Sequence, residues 1–183
     1  VIICMNDEEL IIRVREGDNL AFEALVGKYR NSAVLFAYGY LSDFHIAEEV
    51  VQDAFVKLYL SIDKYDSKKA SLKTYLFTIV KRLCIDSIRK KRVDIVPLED
   101  NINLSNENIP EEIIICKEEY EILLKNIEKL NDNYKKAIIL RDYDNMSYEE
   151  IAHIMDKSLS SVKSYIHRGR KKLFNFFRKE CGK

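Results

Sequence analysis

Apolar residues recur at steps of three and four in four successive stretches, and no other feature restricts the possible folds of this chain as strongly. The first stretch is short: Leu10, Ile11 and Val14, closed by Gly17. Phe22, Leu25, Val26, Tyr29, Ala33, Phe36 and Tyr40 form the second. Ala47, Val50, Val51, Ala54, Phe55, Leu58 and Ile62 form the third, and Leu72, Tyr75, Leu76, Ile79, Val80 and Leu83 the fourth. A turn of α-helix takes about 3.6 residues, so each series lies along one helix face. Asp43 is placed to cap the third helix and Ser71 the fourth. Four helices from about Asp7 to Arg92 would bury one shared core. Only five glycines and two prolines occur in 183 residues, which favours long helices and few tight turns. The expected fold class is all-α.

The period lapses over residues 93–109, where Asn, Asp, Glu and Pro97 interrupt it. This composition reads as an acidic flexible linker. Pro110 suits the first turn of a new helix, with Glu111 and Glu112 favourable at its positive end. That helix is expected to run to about Leu130, and another from about Asn133 to Tyr143. Ser147 and Glu150 have the spacing of a capping box, in which each side chain satisfies a free backbone N–H of a third helix. Ser158 is placed to cap a fourth, with an inward stripe of Leu159, Val162, Ile166, Gly169 and Leu173. Gly169 in that stripe should cost about 1 kcal/mol of helix stability relative to Ala. The expected organisation is a domain at 5–92, a linker at 93–109 and a second small helical domain at 110–183. Met5, followed by Asn-Asp-Glu-Glu, reads as a start.

Thirty Lys and Arg balance thirty Asp and Glu, so total charge says nothing for nucleic acid, but the charge is unevenly placed. Ser147 to Leu173 reads as a helix-turn-helix: a short capped helix, a turn at Asp156 and Lys157, and a longer second helix. Opposite its apolar stripe that helix carries Ser160, Ser161, Lys163, Ser164, His167, Arg168 and Lys171. Short hydroxylated side chains near its start permit close approach to DNA, and cations follow to meet phosphates or guanine edges. Arg170, Lys172, Arg178 and Lys179 extend the positive field.

A second basic cluster, Lys81, Arg82, Arg89, Lys90, Lys91 and Arg92, closes the fourth helix of the first domain. Cations at a helix C-terminus complement its dipole. Beside aromatics such as Tyr65, Tyr75 and Phe77, they also suit unpaired bases and their backbone. The loop between residues 63 and 71 offers Tyr65, Asp66 and Ser67 to a base edge. Glu48, Glu49, Gln52 and Asp53 make an acidic face on the third helix. It would repel DNA, and it suits either solvent or a basic protein surface.

Taken in order, these segments resemble the sigma factors of bacterial RNA polymerase. Ala47 to Tyr59 (AEEVVQDAFVKLY) is similar to the second conserved region of that family, and Ser71 to Arg92 (SLKTYLFTIVKRLCIDSIRKKR) to its segment that recognises and opens the minus-ten element. Leu140 to Tyr143 (LRDY), Ser147 to Ala152 (SYEEIA) and Val162 to Leu173 (VKSYIHRGRKKL) are similar to the region that reads the minus-thirty-five element. The large domain that separates these parts in housekeeping sigma factors is absent, which points to the extracytoplasmic-function group. The resemblance implies a transcription initiation factor that binds core RNA polymerase through Glu48, Glu49, Gln52 and Asp53. It would meet the minus-ten DNA through Tyr65, Asp66, Ser67, Lys81, Arg82 and Arg89 to Arg92, and the minus-thirty-five DNA through the outward set from Ser160 to Lys171. It also implies a cytoplasmic protein, promoter DNA as a partner, and an anti-sigma factor that holds the protein inactive. The chain departs from the family in having Tyr59 and Tyr75 where Trp is frequent, Arg82 where Asn is common, and Gly169 in place of a usual Ala.

No cofactor, metal or catalytic activity is expected. Cys4, Cys84, Cys116 and Cys181 are scattered without a CxxC pair and lie at no zinc-ligand spacing from His45, His153 or His167, so they read as free thiols. No Gly-rich phosphate loop, HExxH or GxSxG occurs. No apolar run is long enough for stable membrane insertion, and the opening residues are too short for a signal peptide. The alternative is a helix-turn-helix regulator that acts without being a polymerase subunit. The response-regulator form of that class would need an α/β receiver, and the first half has no strand alternation.

Overall fold

The computed structural model describes residues 5–94, 127 and 129–181, with residues 92–94, 177 and 179–181 described by their backbone alone. Seven α-helices are present among the described residues, and no strand: α1 (Asp7–Arg15), α2 (Asn19–Leu41), α3 (Phe44–Ser61), α4 (Leu72–Asp94), α5 (Asp132–Ile138), α6 (Tyr148–Met155) and α7 (Leu159–Cys181). The all-α expectation holds. Of the linker expected at 93–109 only Val93 and Asp94 are described, and they continue α4 as helix; of the helix expected from Pro110 only Ile127, Lys129 and Leu130 are described, with Ile127 and Leu130 buried.

Local chemistry accounts for where the helices begin. Asn6 and Glu9 form a reciprocal capping box at α1. Asp18 accepts from the N–H groups of Leu20 and Ala21, and Asp43 from that of Ile46. Ser71 accepts from Thr74 N at 3.2 Å, Ser147 and Glu150 form both halves of their box, and Ser158 accepts from Ser161 N at 3.2 Å. α2 ends at Ser42 and α6 at Asp156, both in the left-handed region with φ of 53° and 51°. The helix expected over 133–143 is α-helical only to Ile138. Ile139–Tyr143 continues it as a π-helical turn, closed by the Asp144 N–H donating to Ile139 O.

In the N-terminal unit α2 packs on α1, α3 and α4, and α3 packs on α4. Leu25, Phe36, Leu58, Leu72, Leu76 and Phe77 are fully enclosed between them. The Phe36 and Phe77 rings meet at 5.2 Å between centroids. Burying side chains of this size contributes about 1.5–3 kcal/mol each, and this fixes the helix faces. In the C-terminal unit α7 packs on α5 and α6 around Leu140, Met146, Ile151, Ile154, Val162 and Ile166. Gly169 lies against α5. A Cβ added there would stand 2.5 Å from Ile138 Cδ1 and 3.3 Å from Tyr134 Cβ, so the glycine permits close approach of two helices. Leu159, expected in the inward stripe, is exposed at the first turn of α7, while Val162, Ile166, Gly169 and Leu173 are buried.

The two units also touch each other: α2 meets α5 and the π-helical turn, and α4 meets α6. Gly39, between Tyr38 and Tyr40 on α2, lets the stems of Lys135 and Lys136 pass close, with Lys136 Cγ 3.2 Å from where a Cβ would be. The two ammonium groups lie over the rings of Tyr38 and Tyr40, at 5.5 and 3.4 Å from the centroids. Burial pulls the Lys136 ammonium below its ordinary pKa.

Candidate nucleic-acid interface

α7 stands on the C-terminal unit with its apolar stripe inward, which turns the opposite face to solvent. Ser160, Lys163, His167, Arg168 and Lys171 are exposed on it, and Ser161 and Ser164 are half-buried. The sequence-predicted set therefore falls on one accessible face. Its first turn is partly self-engaged, since the Ser158 hydroxyl lies 3.1 Å from that of Ser160 and 2.8 Å from that of Ser161. Arg170 is not a free contributor to the positive field. Its guanidinium grips the Asp142 carboxylate at the end of the π-helical turn, which braces α7 against α5. The face left open has Lys163, Arg168 and Lys171, five and three residues apart, with small side chains before them, the form a helix needs to enter a major groove.

The loop between α3 and α4 is held from two sides. Arg15 on α1 donates to Ile62 O at 2.9 Å and to Tyr65 O at 2.6 Å. Tyr65 is buried, with its hydroxyl donating to Ala70 O at 2.9 Å and its ring 5.4 Å from that of Tyr75. Tyr65 thus braces the loop and does not present its ring to solvent. Asp66 accepts from Lys68 N at 3.0 Å, and Ser67 is exposed. Beside them opens a cleft of about 400 Å³, walled by Glu8 and Arg15 from α1 and by Asp63, Asp66 and Ser67 from the loop. The α1 wall was not apparent in the sequence, because the residues that build it lie about fifty positions from the loop.

The basic residues of α4 divide. Arg82, Arg89, Lys90 and Lys91 are exposed, and the Arg92 side chain lies outside the described residues. Arg89 is eighteen residues beyond Ser71, so it stands about 27 Å along the helix, the length of roughly eight base pairs of duplex. Lys81 is largely covered and paired with Asp156 in the turn of the helix-turn-helix. That pairing, with the hydrogen bond leading, holds the Asp156 carboxyl below its ordinary pKa.

On α3, Glu49, Gln52 and Asp53 are exposed, whereas Glu48 is half-buried and paired with Arg30 of α2 at 2.9 Å. The acidic face is thus three residues wide, and Glu48 belongs to the packing of the bundle. Farther along the same helix Val56, Tyr59 and Leu60 are exposed, with Tyr59 edge-on to Phe22 at 5.0 Å. Sequence reasoning missed this apolar continuation, whose signal was the placing of Val56 and Leu60 off the buried stripe. Among the described residues no cluster of His, Cys, Asp and Glu could hold a metal, and no helix is long and apolar enough to cross a membrane. Burial pushes the Cys84 thiol up to about 12, so it stays protonated.

The family comparisons agree with this geometry. Residues 25–93 match Sigma-70 region 2 and residues 120–173 match Sigma-70, region 4. The ECF RNA polymerase sigma factor SigW of Bacillus subtilis is 32% identical over 173 residues, 89% of this chain and 92% of that protein. The ECF RNA polymerase sigma-E factor of Escherichia coli K12 is 32% identical over 181 residues, 93% of this chain and 94% of that protein. Two solved structures share the fold at 22% identity. One is CnrH in complex with the cytosolic domain of CnrY, with a TM-score of 0.62 over 94% of this chain and 97% of that one. The other is the sigma factor RpoE in complex with the anti-sigma factor NepR from Bartonella quintana, with a TM-score of 0.63 over 86% and 96%. On the two region matches and on relatives that align across nearly their whole length, the chain belongs to the sigma-70 family of RNA polymerase sigma factors, in its extracytoplasmic-function group.

Proposed function

We infer that this chain is a transcription initiation factor that binds core RNA polymerase, directs it to specific promoters and helps to open the DNA. The observation that carries the reading is the coexistence of two opposed surfaces in one chain of this family: the exposed acidic face of α3 and the cationic outward face of α7. The first fits a basic protein surface and repels DNA; the second fits a major groove. Domain limits of 5–92 and 110–183 about a linker at 93–109 follow from the same reading. Glu49, Gln52 and Asp53 are assigned to polymerase. Asp66, Ser67, Lys81, Arg82 and the cations from Arg89 to Arg92 are assigned to minus-ten DNA. Ser160, Ser161, Lys163, Ser164, His167, Arg168 and Lys171 are assigned to minus-thirty-five DNA. Glu48 and Tyr65 support these surfaces from within.

The protein supplies binding energy and no chemistry of its own, since bond formation belongs to the polymerase. It would work in the cytoplasm, with an anti-sigma protein as its antagonist; of the two structural relatives, CnrH was solved in complex with the cytosolic domain of CnrY and RpoE in complex with the anti-sigma factor NepR. Adding the protein to purified core polymerase and sequencing the transcripts tests the function. A common promoter motif that appears only with the protein is expected. Specific binding to those promoters without core polymerase would favour a stand-alone regulator instead.

A further inference from the structure

The loop between α3 and α4 begins at a helix end, and a residue of α1 satisfies that end. α3 runs to Ser61 and continues as a single tight helical turn over Ile62–Lys64. The last carbonyls of a helix lack partners within it and carry partial negative charge. Arg15, the last residue of α1, lays its guanidinium across them. Its Nη2 donates to Ile62 O at 2.9 Å and to Tyr65 O at 2.6 Å, and its Nε to Ile62 O at 3.2 Å. Hydrogen bonds from a charged donor are the strong kind, and the planar fork of an arginine makes several at once in one fixed geometry.

α1 is a firm base for this grip. Leu10, Ile11 and Val14 are buried in the bundle, and Asp7 at its start accepts from Lys28 at 2.6 Å and from the Tyr29 hydroxyl at 2.5 Å, both on α2. Several of the loop's other bonds are internal to it. The Tyr65 hydroxyl donates to Ala70 O at 2.9 Å, Lys68 N to the Asp66 carboxylate at 3.0 Å and Lys69 N to Asp66 O at 3.1 Å. These bonds fix the shape of the loop, and Arg15 fixes where that shape stands relative to α1. The cleft of about 400 Å³ between the two has Glu8, Ile12 and Arg15 on one wall and Asp63, Asp66 and Ser67 on the other. Its three carboxylates turn phosphates away and can accept from the amino group of a base edge. A base taken out of the stack is held only by a pocket that fits it closely, so the spacing of the two walls decides whether it binds.

We propose that Arg15 is a positioning residue for promoter opening: it holds the loop at the distance from α1 at which the cleft accepts an unstacked base of the non-template strand, and it makes no contact with DNA itself. The inference rests on the loop being the minus-ten element. Without the guanidinium the loop keeps its internal bonds but leaves its place, and capture falls by the fraction of time the cleft is formed. Core polymerase on α3 and the upstream element on α7 use other surfaces, so the closed complex forms as before. The step that fails is the passage from closed to open complex.

Arg15→Ala and Arg15→Lys are compared with the parent, each as the full-length chain bound to core polymerase on a promoter that the parent uses. Rates of open-complex formation against holoenzyme concentration give closed-complex affinity and opening rate separately. Arg15→Ala should leave the affinity unchanged and slow opening about tenfold or more. Arg15→Lys should recover part of the rate, because an ammonium reaches one carbonyl but lacks the fork. The salt dependence of DNA binding should stay that of the parent. A slope lower by about one makes Arg15 a phosphate contact and overturns the proposal. Abasic sites are then placed one at a time along the non-template strand of a pre-melted promoter. In the parent one site should cost affinity well beyond its neighbours, and in Arg15→Ala that site should cost no more than they do. Equal opening rates, or the same abasic profile in both proteins, overturn the positioning role. Weaker binding of core by both variants does so too, since Arg15 then acts through the fold of the whole unit. If Arg15→Ala alone fails to fold, the same readings on Arg15→Lys decide. A parent with no sensitive site instead shows that the loop captures no base, and the minus-ten assignment of the loop falls along with the role of Arg15.

Discussion

Replacing Gly169 by Ala separates two accounts of that residue by the sign of one number. Helix propensity alone predicts that Ala stabilises α7 by about 1 kcal/mol. The packing predicts the reverse. The new Cβ would stand 2.5 Å from Ile138 Cδ1, 3.2 Å from Ile138 Cγ1 and 3.3 Å from Tyr134 Cβ. Ile138 is itself buried, so its side chain has little space to move into. Overpacking of this kind costs about 1–3 kcal/mol. The sum is a loss between about zero and 2 kcal/mol. Ile138→Val removes Cδ1, the atom nearest the clash, and by itself costs about 0.5–1.5 kcal/mol. In the double variant the closest approach relaxes to about the 3.2 Å of Cγ1, so the two changes compensate. Urea unfolding of the four proteins, followed by helical circular dichroism, should give a coupling of about 1 kcal/mol or more in favour of the double variant. A stabilising Gly169→Ala, with effects that add to within about 0.5 kcal/mol, would show that α7 and α5 are not in contact as described.

Reversing Glu49 and Asp53 to Lys should weaken association with core polymerase while helical content stays normal; unchanged affinity in a titration removes the polymerase face from α3. Arg168→Ala and Lys163→Ala should each impair use of the upstream element. A lost base contact costs about 1–3 kcal/mol and relaxes one base preference, whereas a lost phosphate contact weakens all sequences alike. Assaying both against a library of upstream elements distinguishes these, and no effect on any sequence contradicts the placing of α7 in the groove. Replacing Asp66 and Ser67 by Ala should cripple transcription from closed duplex and spare a pre-melted bubble, because the cost of unstacking a base has already been met there. Tyr65→Ala should instead lower the melting temperature, since it removes a buried ring and the hydrogen bond to Ala70 O. Normal transcription from closed duplex by the Asp66 and Ser67 variant reduces the loop to a connector.

What could be read from the sequence is what depends on neighbours along the chain. Caps at Asp43, Ser71, Ser147 and Ser158 act over three residues, and the apolar stripes act over a helix turn, so both were visible as spacing. The outward face of α7 followed directly from the position of its buried stripe. The features that stayed hidden depend on partners far away in sequence. Glu48 looked like part of a charged face until Arg30, eighteen residues earlier, claimed it. Tyr65 looked like a base-stacking ring because its burial is caused by Tyr75 and by a loop drawn in by Arg15. Gly169 looked like a weak point because propensity is a property of one helix, and the reason for the glycine lies on another.

The neutral total charge has the same origin. A DNA-binding protein with thirty cations and thirty anions seems poorly equipped for its ligand if charge is only counted. In the folded chain many anions have definite cationic partners. Asp142 holds Arg170, Asp144 holds Lys73, Asp156 holds Lys81 and Glu48 holds Arg30. Two of these pairs join the N-terminal and C-terminal units. Lys73 and Lys81 on α4 are thereby engaged by carboxylates, while Lys163, Arg168 and Lys171 stay exposed on α7. The field at each surface is thus set by which charges are paired, and net charge says little about it until the partner of each charge is known.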